Sequence, residues 1–325
     1  MSKFLIIQTA FIGDVILATA LVEKLSASHP NARIDFLLRK GNEALLKNNP
    51  RIGEVLVWDK TERKFANLMK TIKQVRRSEY DTIINIHRFG SSGLITALSG
   101  AANKIGFDKN PWSFLYSRSV RHSLASIHEV ERNQSLIAEI SDDIAAKPRL
   151  YPAKEDFAAV SGYTRDPYVC IAPNSVWFTK QLTLDKWIEV MAMHTEQIYL
   201  IGGADDRPRC EELAKALTGS ITVLAGELTF LQTAALMQDA LMNYVNDSAP
   251  MHIASAMDAP VTAVFCSTVP EFGFGPLSSN SKVIQTKEDL DCRPCGLHGL
   301  EACPEGHFNC ANGIEIDQIA HAGQK

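Results

Sequence analysis

Gly13 and Asp14 stand where an apolar strand gives way to a helix close to the start of the chain. Glycine lets the backbone turn tightly and approach a ligand. An aspartate at the carboxyl end of a strand presents its carboxylate at the sheet edge where α/β proteins bind ligands. Capping of the following helix is the alternative role for Asp14. The segment has too few glycines for a dinucleotide-binding fingerprint.

A second junction between strand and helix runs from Asp247 to His252. Ser248 can cap the helix, and Pro250 suits its first turn, where a missing N–H costs nothing. The free N–H groups of Ser248 and Ala249 form an anion site whose natural occupant is a diphosphate. Asp247 would compete with phosphate, so it either bonds sugar hydroxyls or holds the loop. His252 is either part of this site or a satisfied core histidine.

Two further loops in the second half follow predicted strands. Asn174 and Ser175 open the loop that carries Lys180, a point cation suited to phosphate, although most lysines are merely surface residues. Glu227 follows the end of another strand, where glutamate often accepts hydrogen bonds from ribose hydroxyls. The second half thus predicts a nucleotide-diphosphate site without a Walker lysine motif, and the first half supplies one carboxylate. A nucleotide-sugar transferase needs such a nucleotide-diphosphate site in one half and a carboxylate in the other.

The elements that must position these residues alternate between short apolar runs and amphipathic stretches, which is typical of βαβ units and parallel sheets. Strands are predicted at 4–7, 34–37, 55–57, 82–86, 168–172, 197–201, 221–224, 241–245 and 261–265, and helices at 15–25, 42–47, 65–76, 184–194, 207–217, 229–238 and 250–257. A polar stretch with prolines at 147–167 predicts a linker between Rossmann-like domains at 1–155 and 165–325. The cleft between two such domains is the default ligand site.

Composition restricts the class of protein. Of the 325 residues, 46% are hydrophobic and 22% charged, which argues against disorder. No apolar run approaches the roughly 20 residues that span a bilayer. Residues 4–7 resemble a buried strand more than part of a secretory signal. Seven cysteines, with four crowded near the C-terminus, argue for a reducing cytoplasm rather than a secreted disulfide framework.

Charge is divided unevenly along the chain. Residues 1–150 carry 22 Lys and Arg against 15 Asp and Glu, whereas residues 151–325 carry 11 against 22. A basic first half suits an anionic ligand, a membrane surface or nucleic acid, and solvated helix faces are the alternative explanation. Lys70, Lys73 and Arg77 share one helix face through their spacing of three and four residues.

The cysteine-rich tail has the spacing C-x2-C-x7-C-x6-C, formed by Cys292, Cys295, Cys303 and Cys310. Four thiolates can close a tetrahedral zinc site. Reduced structural thiols are the alternative, because this spacing lies outside the common zinc patterns. Arg293 is the only Lys or Arg from 291 to 313, which argues against a nucleic-acid-binding zinc module.

Two motifs near the ends of the chain are similar to those of glycosyltransferase family 9, the ADP-heptose:lipopolysaccharide heptosyltransferases. They are Ile12-Gly13-Asp14-Val15-Ile16-Leu17-Ala18-Thr19 and Asn246-Asp247-Ser248-Ala249-Pro250-Met251-His252-Ile253-Ala254. Segments 104–108 and 128–133 also fit, and the Cys292–Cys295 segment is similar to the tail of the second-heptose branch. The family usually has glycine at the position of Ala249, and the C-terminal helix predicted at 314–322 is short for a GT-B protein.

The resemblance implies a GT-B-like fold, with two parallel sheets facing an interdomain cleft, and an inverting transfer without a catalytic metal or cofactor. It implies that Asp14 takes the proton from the acceptor hydroxyl. Gly13 and the basic helix face of Lys70, Lys73 and Arg77 are expected to bind the acceptor. The implied partners are ADP-heptose and an anionic core glycolipid, with no nucleic acid. The implied location is cytoplasmic, with peripheral contact at the inner membrane.

On the donor side, the resemblance implies that Lys180 and the amides of Ser248 and Ala249 neutralise the departing diphosphate. Asn174 and Ser175 belong to the same side. Glu227 would hold the adenosine ribose, while Asp247 and His252 would contact the heptose or the phosphates. Two alternatives remain: a transferase that uses another nucleotide sugar, and a GT-B-like binding protein that has lost turnover.

Overall fold

The computed structural model of the chain describes residues 2–123 and 126–320. Two compact units divide after Tyr151, namely Met1–Tyr151 and Pro152–Lys325. Each unit contains one parallel six-stranded sheet with helices between its strands, which confirms the predicted α/β fold with two Rossmann-like sheets. Within the described ranges, no helix is both long enough and apolar enough to cross a membrane.

The first unit has the strand order β3-β2-β1-β4-β5-β6. Its strands are β1 Lys3–Ile7, β2 Arg33–Arg39, β3 Val55–Trp58, β4 Thr82–Asn85, β5 Asn103–Phe107 and β6 Arg118–Val120. Its helices are α1 Ile12–Ser28, α2 Lys64–Arg77, α3 Gly90–Ala97 and α4 Glu129–Gln134. Leu5, Ile6 and Ile7 have no exposed surface, because parallel strands are covered on both faces.

The second unit has the strand order β12-β11-β10-β7-β8-β9. Its strands are β7 Tyr168–Ala172, β8 Gln197–Leu200, β9 Ile221–Val223, β10 Met242–Asn246, β11 Val261–Phe265 and β12 Ser281–Gln285. Its helices are α5 Lys154–Val160, α6 Leu184–Ala192, α7 Arg207–Ala216, α8 Phe230–Gln238, α9 Ala249–Ala256, α10 Asn309–Asn312 and α11 Ile316–Ala320. Trp187 of α6 is fully buried in the core of this unit.

Several elements differ from the sequence-based prediction. The stretch predicted as a linker at 147–167 contains α5, whose polar residues hid its helical character. Residues 42–47 form a short 3-10 helix at Glu43–Leu46. The C-terminal helix predicted at 314–322 is observed as α11, and residues 321 and 322 lie outside the described ranges. Strands β5, β6 and β12 were not predicted.

Candidate functional site

Asp14 lies at the carboxyl edge of the first sheet, in the first turn of α1. Its Oδ2 accepts the backbone N–H of Phe11 at 3.1 Å, so the residue has the capping role considered from the sequence. Gly13 lies inside the helix, which begins at Ile12, so the expectation that Gly13 forms a tight turn was wrong. The chain turns at residues 8–11 instead. The half-buried carboxylate keeps a fixed position beside the strand end.

The loop before Asp14 is held by polar contacts that the sequence did not reveal. Lys60 Nζ donates to the carbonyl oxygen of Thr9 at 2.8 Å and lies 3.1 Å from its hydroxyl oxygen, which in turn lies 3.1 Å from His87 Nδ1. Burial, with a contribution from Arg39, lowers the pKa of Lys60 to about 8. Burial, reinforced by Lys60 and Arg88, lowers the pKa of His87 to about 3, so this imidazole is neutral at pH 7.

A buried ion pair joins Glu129 and Arg132 in α4, which packs against α1. Arg132 also donates to the carbonyl oxygens of Ser123 and Ile127. Burial raises the pKa of Glu129 to about 7, with Arg132 acting in the opposite direction and Asp14 adding to the rise. A second carboxyl group is therefore within electrostatic range of Asp14.

Lys70, Lys73 and Arg77 are exposed on α2, as their spacing predicts. With Phe65 and Met69 they line a groove of about 1020 Å³. Helix α2 starts beyond the carboxyl end of β3 and finishes before the amino end of β4, so these cations lie progressively farther from the edge that carries Asp14. Their role towards an acceptor remains a prediction.

In the second unit, Lys180 and Asp247 meet at the carboxyl edge of the sheet. Lys180 Nζ lies 2.7 Å from Asp247 Oδ2, which also accepts the hydroxyl hydrogen of Thr268 at 2.6 Å. Asp247 follows β10 and Thr268 follows β11, so adjacent strands bring the two together. Asp247 is thus paired with an ammonium group at this edge, a contact that the sequence did not predict, and its role towards a donor stays a prediction.

Buried Asn246 connects the two loops that carry this pair. Its Oδ1 accepts the N–H of Leu182 at 3.0 Å, and its Nδ2 donates to the carbonyl oxygen of Pro173 at 2.8 Å. Asn174 Nδ2 donates to the carbonyl oxygen of Asp206 at 3.2 Å, while Ser175 accepts a hydrogen bond from Gln181 through its carbonyl oxygen. Across the described ranges, the buried Asn174 Oδ1 has no hydrogen-bond partner.

Ser248 precedes α9, which begins at Ala249 with Pro250 in its first turn, as predicted. The Ser248 side chain does not cap the helix: its hydroxyl lies 3.4 Å from the carbonyl oxygens of Asn174 and Asn246. The first amides of α9 therefore remain directed at the same sheet edge as Lys180. His252 is buried one turn further along, with its ring 6.4 Å from that of Phe274.

Glu227 lies beyond β9, on the far side of β7 and β8 from the Lys180–Asp247 pair. Its Oε1 pairs with Arg207 Nη1 at 2.9 Å. Gly226 adopts φ +80°, and a Cβ at this position would lie 2.8 Å from the Cα of Ala204, so only glycine fits. The turn places the Glu227 carboxylate at the edge, with Arg207 setting its orientation.

The cysteine-rich tail supports the Lys180 loop. Arg293 donates to the carbonyl oxygens of Cys266 and Thr268 at 2.6 and 2.8 Å, which fixes the tail to the end of β11. Thr179 exchanges backbone and side-chain hydrogen bonds with Leu300. A Cβ on Gly299 would lie 2.9 Å from Lys180 Cγ. Sequence reasoning missed this support because Thr179 and Lys180 are more than 100 residues from their partners in the tail.

The four tail cysteines are free thiols in the structure. Cys292 Sγ lies 3.9 Å from His307 Nε2, and burial raises the pKa of Cys310 to about 11. Among residues 2–123 and 126–320, no group of three or more His, Cys, Asp or Glu side chains is arranged to hold a metal ion. Within these described residues, the tail packs against the loop that carries Lys180.

Comparison with known proteins gives consistent matches. The model of "Glycosyltransferase family 9 (heptosyltransferase)" matches residues 68–298. Lipopolysaccharide heptosyltransferase 3 of Escherichia coli is 30% identical over 83% of this chain and 85% of its own length. A family 9 glycosyl transferase of Veillonella parvula has a TM-score of 0.85 at 18% identity, over 99% of this chain and 96% of its own. The E. coli ADP-heptose lipopolysaccharide heptosyltransferase II has a TM-score of 0.79 at 20% identity, over 99% of this chain and 98% of its own.

Proposed function

This chain belongs to glycosyltransferase family 9 and is a glycosyltransferase, and from that premise we propose that it transfers heptose from ADP-heptose to the lipopolysaccharide inner core with inversion at the anomeric carbon. The family match over residues 68–298 includes the Asn246–Ala254 motif, while the Ile12–Thr19 motif lies outside the matched range. The observation that carries the proposal is the Lys180–Asp247 pair beside the first turn of α9, because it combines a cation and free amides at one sheet edge.

In the proposed reaction, the acceptor hydroxyl transfers its proton to the Asp14 carboxylate while its oxygen attacks the anomeric carbon. The bond from that carbon to the diphosphate oxygen breaks, and ADP departs with the electron pair. Lys180 and the amides of Ser248 and Ala249 neutralise the charge that develops on the diphosphate. Because these groups supply positive charge at that position, we expect transfer to continue in EDTA.

The remaining donor contacts are part of the same proposal. Glu227, oriented by Arg207, accepts hydrogen bonds from the ribose hydroxyls. We assign Asn174 to the donor side, and Asp247 and His252 to contacts with the heptose or the phosphates. The similar E. coli enzyme described as an ADP-heptose lipopolysaccharide heptosyltransferase supports ADP-heptose as the donor.

The proposed acceptor is an anionic core glycolipid that meets the basic first unit, with Gly13 beside the reacting hydroxyl. The Lys70–Lys73–Arg77 face of α2 provides the matching positive charge. The proposed location is cytoplasmic, with peripheral contact at the inner membrane, where such a glycolipid would be available.

The test is a transfer assay with purified protein, an inner-core glycolipid and a panel of ADP-, UDP- and GDP-sugars. We expect mass spectrometry to show one added heptose with ADP-heptose, and NMR to show an inverted anomeric configuration in the product. Faster transfer from a UDP- or GDP-sugar than from ADP-heptose would favour the alternative that the enzyme uses another nucleotide sugar. Donor binding without transfer to any core acceptor would favour the inactive binding protein.

A further inference from the structure

Three large apolar side chains protrude from two loops of the first unit that follow β4 and β5. Phe89, Phe114 and Leu115 are 66%, 75% and 46% exposed. Half-buried Trp112 lies among them, with its ring centroid 6.3 Å from that of Phe114. We call Phe89, Trp112, Phe114 and Leu115 the aromatic patch. Single exposed apolar residues are ordinary in proteins, but a group of them marks an interaction surface.

The aromatic patch is held in place by Asn110, which is only 2% exposed. Asn110 Nδ2 donates to the carbonyl oxygens of His87 and Phe89, each at 3.1 Å, and Oδ1 accepts the N–H of Trp112 at 3.0 Å. Gly93 in α3 makes room for this side chain, because a Cβ there would lie 2.0 Å from Asn110 Oδ1. The two loops therefore present their apolar tips from a preformed support.

Basic residues flank the aromatic patch. Arg88 and Lys109 are both exposed and adjoin it in sequence. The nearby carboxylate of Asp108 accepts the backbone N–H of His122 at 2.9 Å. The surrounding unit carries an excess of positive charge. Aromatic side chains favour the headgroup level of a bilayer, and neighbouring Lys and Arg are attracted to anionic lipid.

The aromatic patch also adjoins the loop that leads to Asp14. The ring of His87 lies 4.8 Å from that of Phe89, and its Nδ1 lies 3.1 Å from Thr9 Oγ1. Thr9 is part of the turn between β1 and α1. A lipid surface seated on the aromatic patch would therefore lie against the sheet edge that carries the proposed base.

We propose that the aromatic patch, with Arg88 and Lys109, inserts into the headgroup region of an anionic phospholipid bilayer. The proposal rests on the proposed function in one respect, since a core glycolipid acceptor is itself anchored in a lipid surface. Burying phenylalanine side chains favours membrane binding, so the loss of two should weaken binding by at least about tenfold.

The experiment is co-sedimentation of the full chain with vesicles of phosphatidylcholine alone or with about a third phosphatidylglycerol. We expect the wild type to sediment with the anionic vesicles, and Phe89→Ser combined with Phe114→Ser to lose at least about tenfold in affinity with an unchanged Tm. Ile144→Ser is the matched control, since Ile144 is 73% exposed outside the aromatic patch. Arg88→Gln with Lys109→Gln should weaken binding chiefly at low salt.

The inference is overturned if the wild type does not bind anionic vesicles, or if the double serine variant binds them as well as Ile144→Ser does. Self-association that the double serine variant abolishes, without vesicle binding, would assign the aromatic patch to a second copy of the chain and overturn the lipid proposal. The vesicle assay contains neither ADP-heptose nor glycolipid, so its outcome is separate from that of the proposed function. Transfer to a deacylated, water-soluble acceptor should be unchanged in the double serine variant.

Discussion

At the scale of single residues, Asp14 and Asp156 occupy the same structural position in two different helices. Each is the third residue of its helix and accepts the backbone N–H of the residue that precedes the helix. Asp14 accepts from Phe11 at 3.1 Å, and Asp156 accepts from Ala153 at 2.8 Å. Asp14 follows the carboxyl end of β1, whereas Asp156 lies ahead of the first strand of its sheet. Comparing variants at these two positions can therefore distinguish a loss of helix capping from a loss of proton transfer.

We expect Asp14→Asn to lower kcat by about 10²–10⁴, because an amide oxygen can still accept the N–H of Phe11 but cannot take a proton from the acceptor. Donor KM and Tm should change little. Asp156→Asn, measured in the same steady-state assay, should retain the wild-type kcat. Equal kcat values for the two variants would remove Asp14 from the mechanism.

Glu129 gives a residue-scale prediction about stability. Its carboxyl group binds a proton more tightly in the folded chain, where burial raises its pKa to about 7, than in the unfolded chain, where the value is 4.5. The stability it contributes is full below pH 4.5 and is lost as the pH rises through 7. Glu129→Gln does not titrate, so the Tm of the wild type should fall relative to this variant as the pH is raised over that interval.

Calorimetry of the two proteins at a series of pH values measures this difference. Glu131→Gln, on the exposed side of the same helix, is the control and should follow the wild type. A Tm difference between the wild type and Glu129→Gln that stays constant from pH 4.5 to 7 would contradict the prediction.

At the scale of elements, Gly299 and Gly306 allow two effects of an added side chain in the tail to be distinguished: backbone strain and displacement of Lys180. Both have a positive φ, +81° and +74°. A Cβ on Gly299 would lie 2.9 Å from Lys180 Cγ, whereas a Cβ on Gly306 would have nothing within 4 Å. Alanine at either site should cost about 1 kcal/mol of stability, because left-handed backbone disfavours a Cβ.

Only Gly299→Ala should also displace Lys180 and raise the KM for the nucleotide-sugar donor. Thermal shift on adding ADP provides an independent readout, since a ligand at a given concentration raises Tm more when it binds more tightly. Gly306→Ala should lose stability but keep the wild-type response to ADP. Equal ADP responses in the two variants would show that the tail does not set the position of Lys180.

The elements also show how much the sequence could predict. Continuous apolar runs identified β7 and β11 with the observed bounds, because strands buried on both faces cannot alternate with polar residues. β6 and β12 escaped because edge strands tolerate polar residues, and β5 begins with Asn103 and Lys104. Gly13 was assigned to a turn because sequence alone does not fix the first residue of a helix.

The candidate site was predictable as far as its strand-to-helix junctions. Lys180, Asp247 and Glu227 all lie at carboxyl ends of strands, as the βαβ pattern requires. The contacts of Thr268 with Asp247, and of Arg293 with the end of β11, depend on strand order and on the path of the tail. Neither is written in local spacing, so these partners emerged only from the structure.

At the scale of the whole molecule, positive charge belongs to the first unit and negative charge to the second. Residues 1–150 carry 22 Lys and Arg against 15 Asp and Glu, and residues 151–325 carry 11 against 22. Such a field raises the local concentration of an anionic ligand near the basic unit, and salt reduces the effect. The exposed α2 face and its groove of about 1020 Å³ are the place to test whether this charge has a function.

Reversing Lys70, Lys73 and Arg77 to Glu should raise the apparent KM for a phosphorylated glycolipid acceptor, because the groove would repel its phosphates. Donor KM should be nearly unchanged, since the proposed donor contacts belong to the second unit. The acceptor effect should shrink as salt is raised, because exposed charges are screened within about 8–10 Å at physiological ionic strength. Lys47→Glu, a single charge reversal at an exposed residue outside α2, is the matched control for the single variant Lys73→Glu and should leave the acceptor KM nearly unchanged. A triple variant with the wild-type acceptor KM at low salt would identify this face as a solvated helix surface and place acceptor recognition elsewhere in the basic unit.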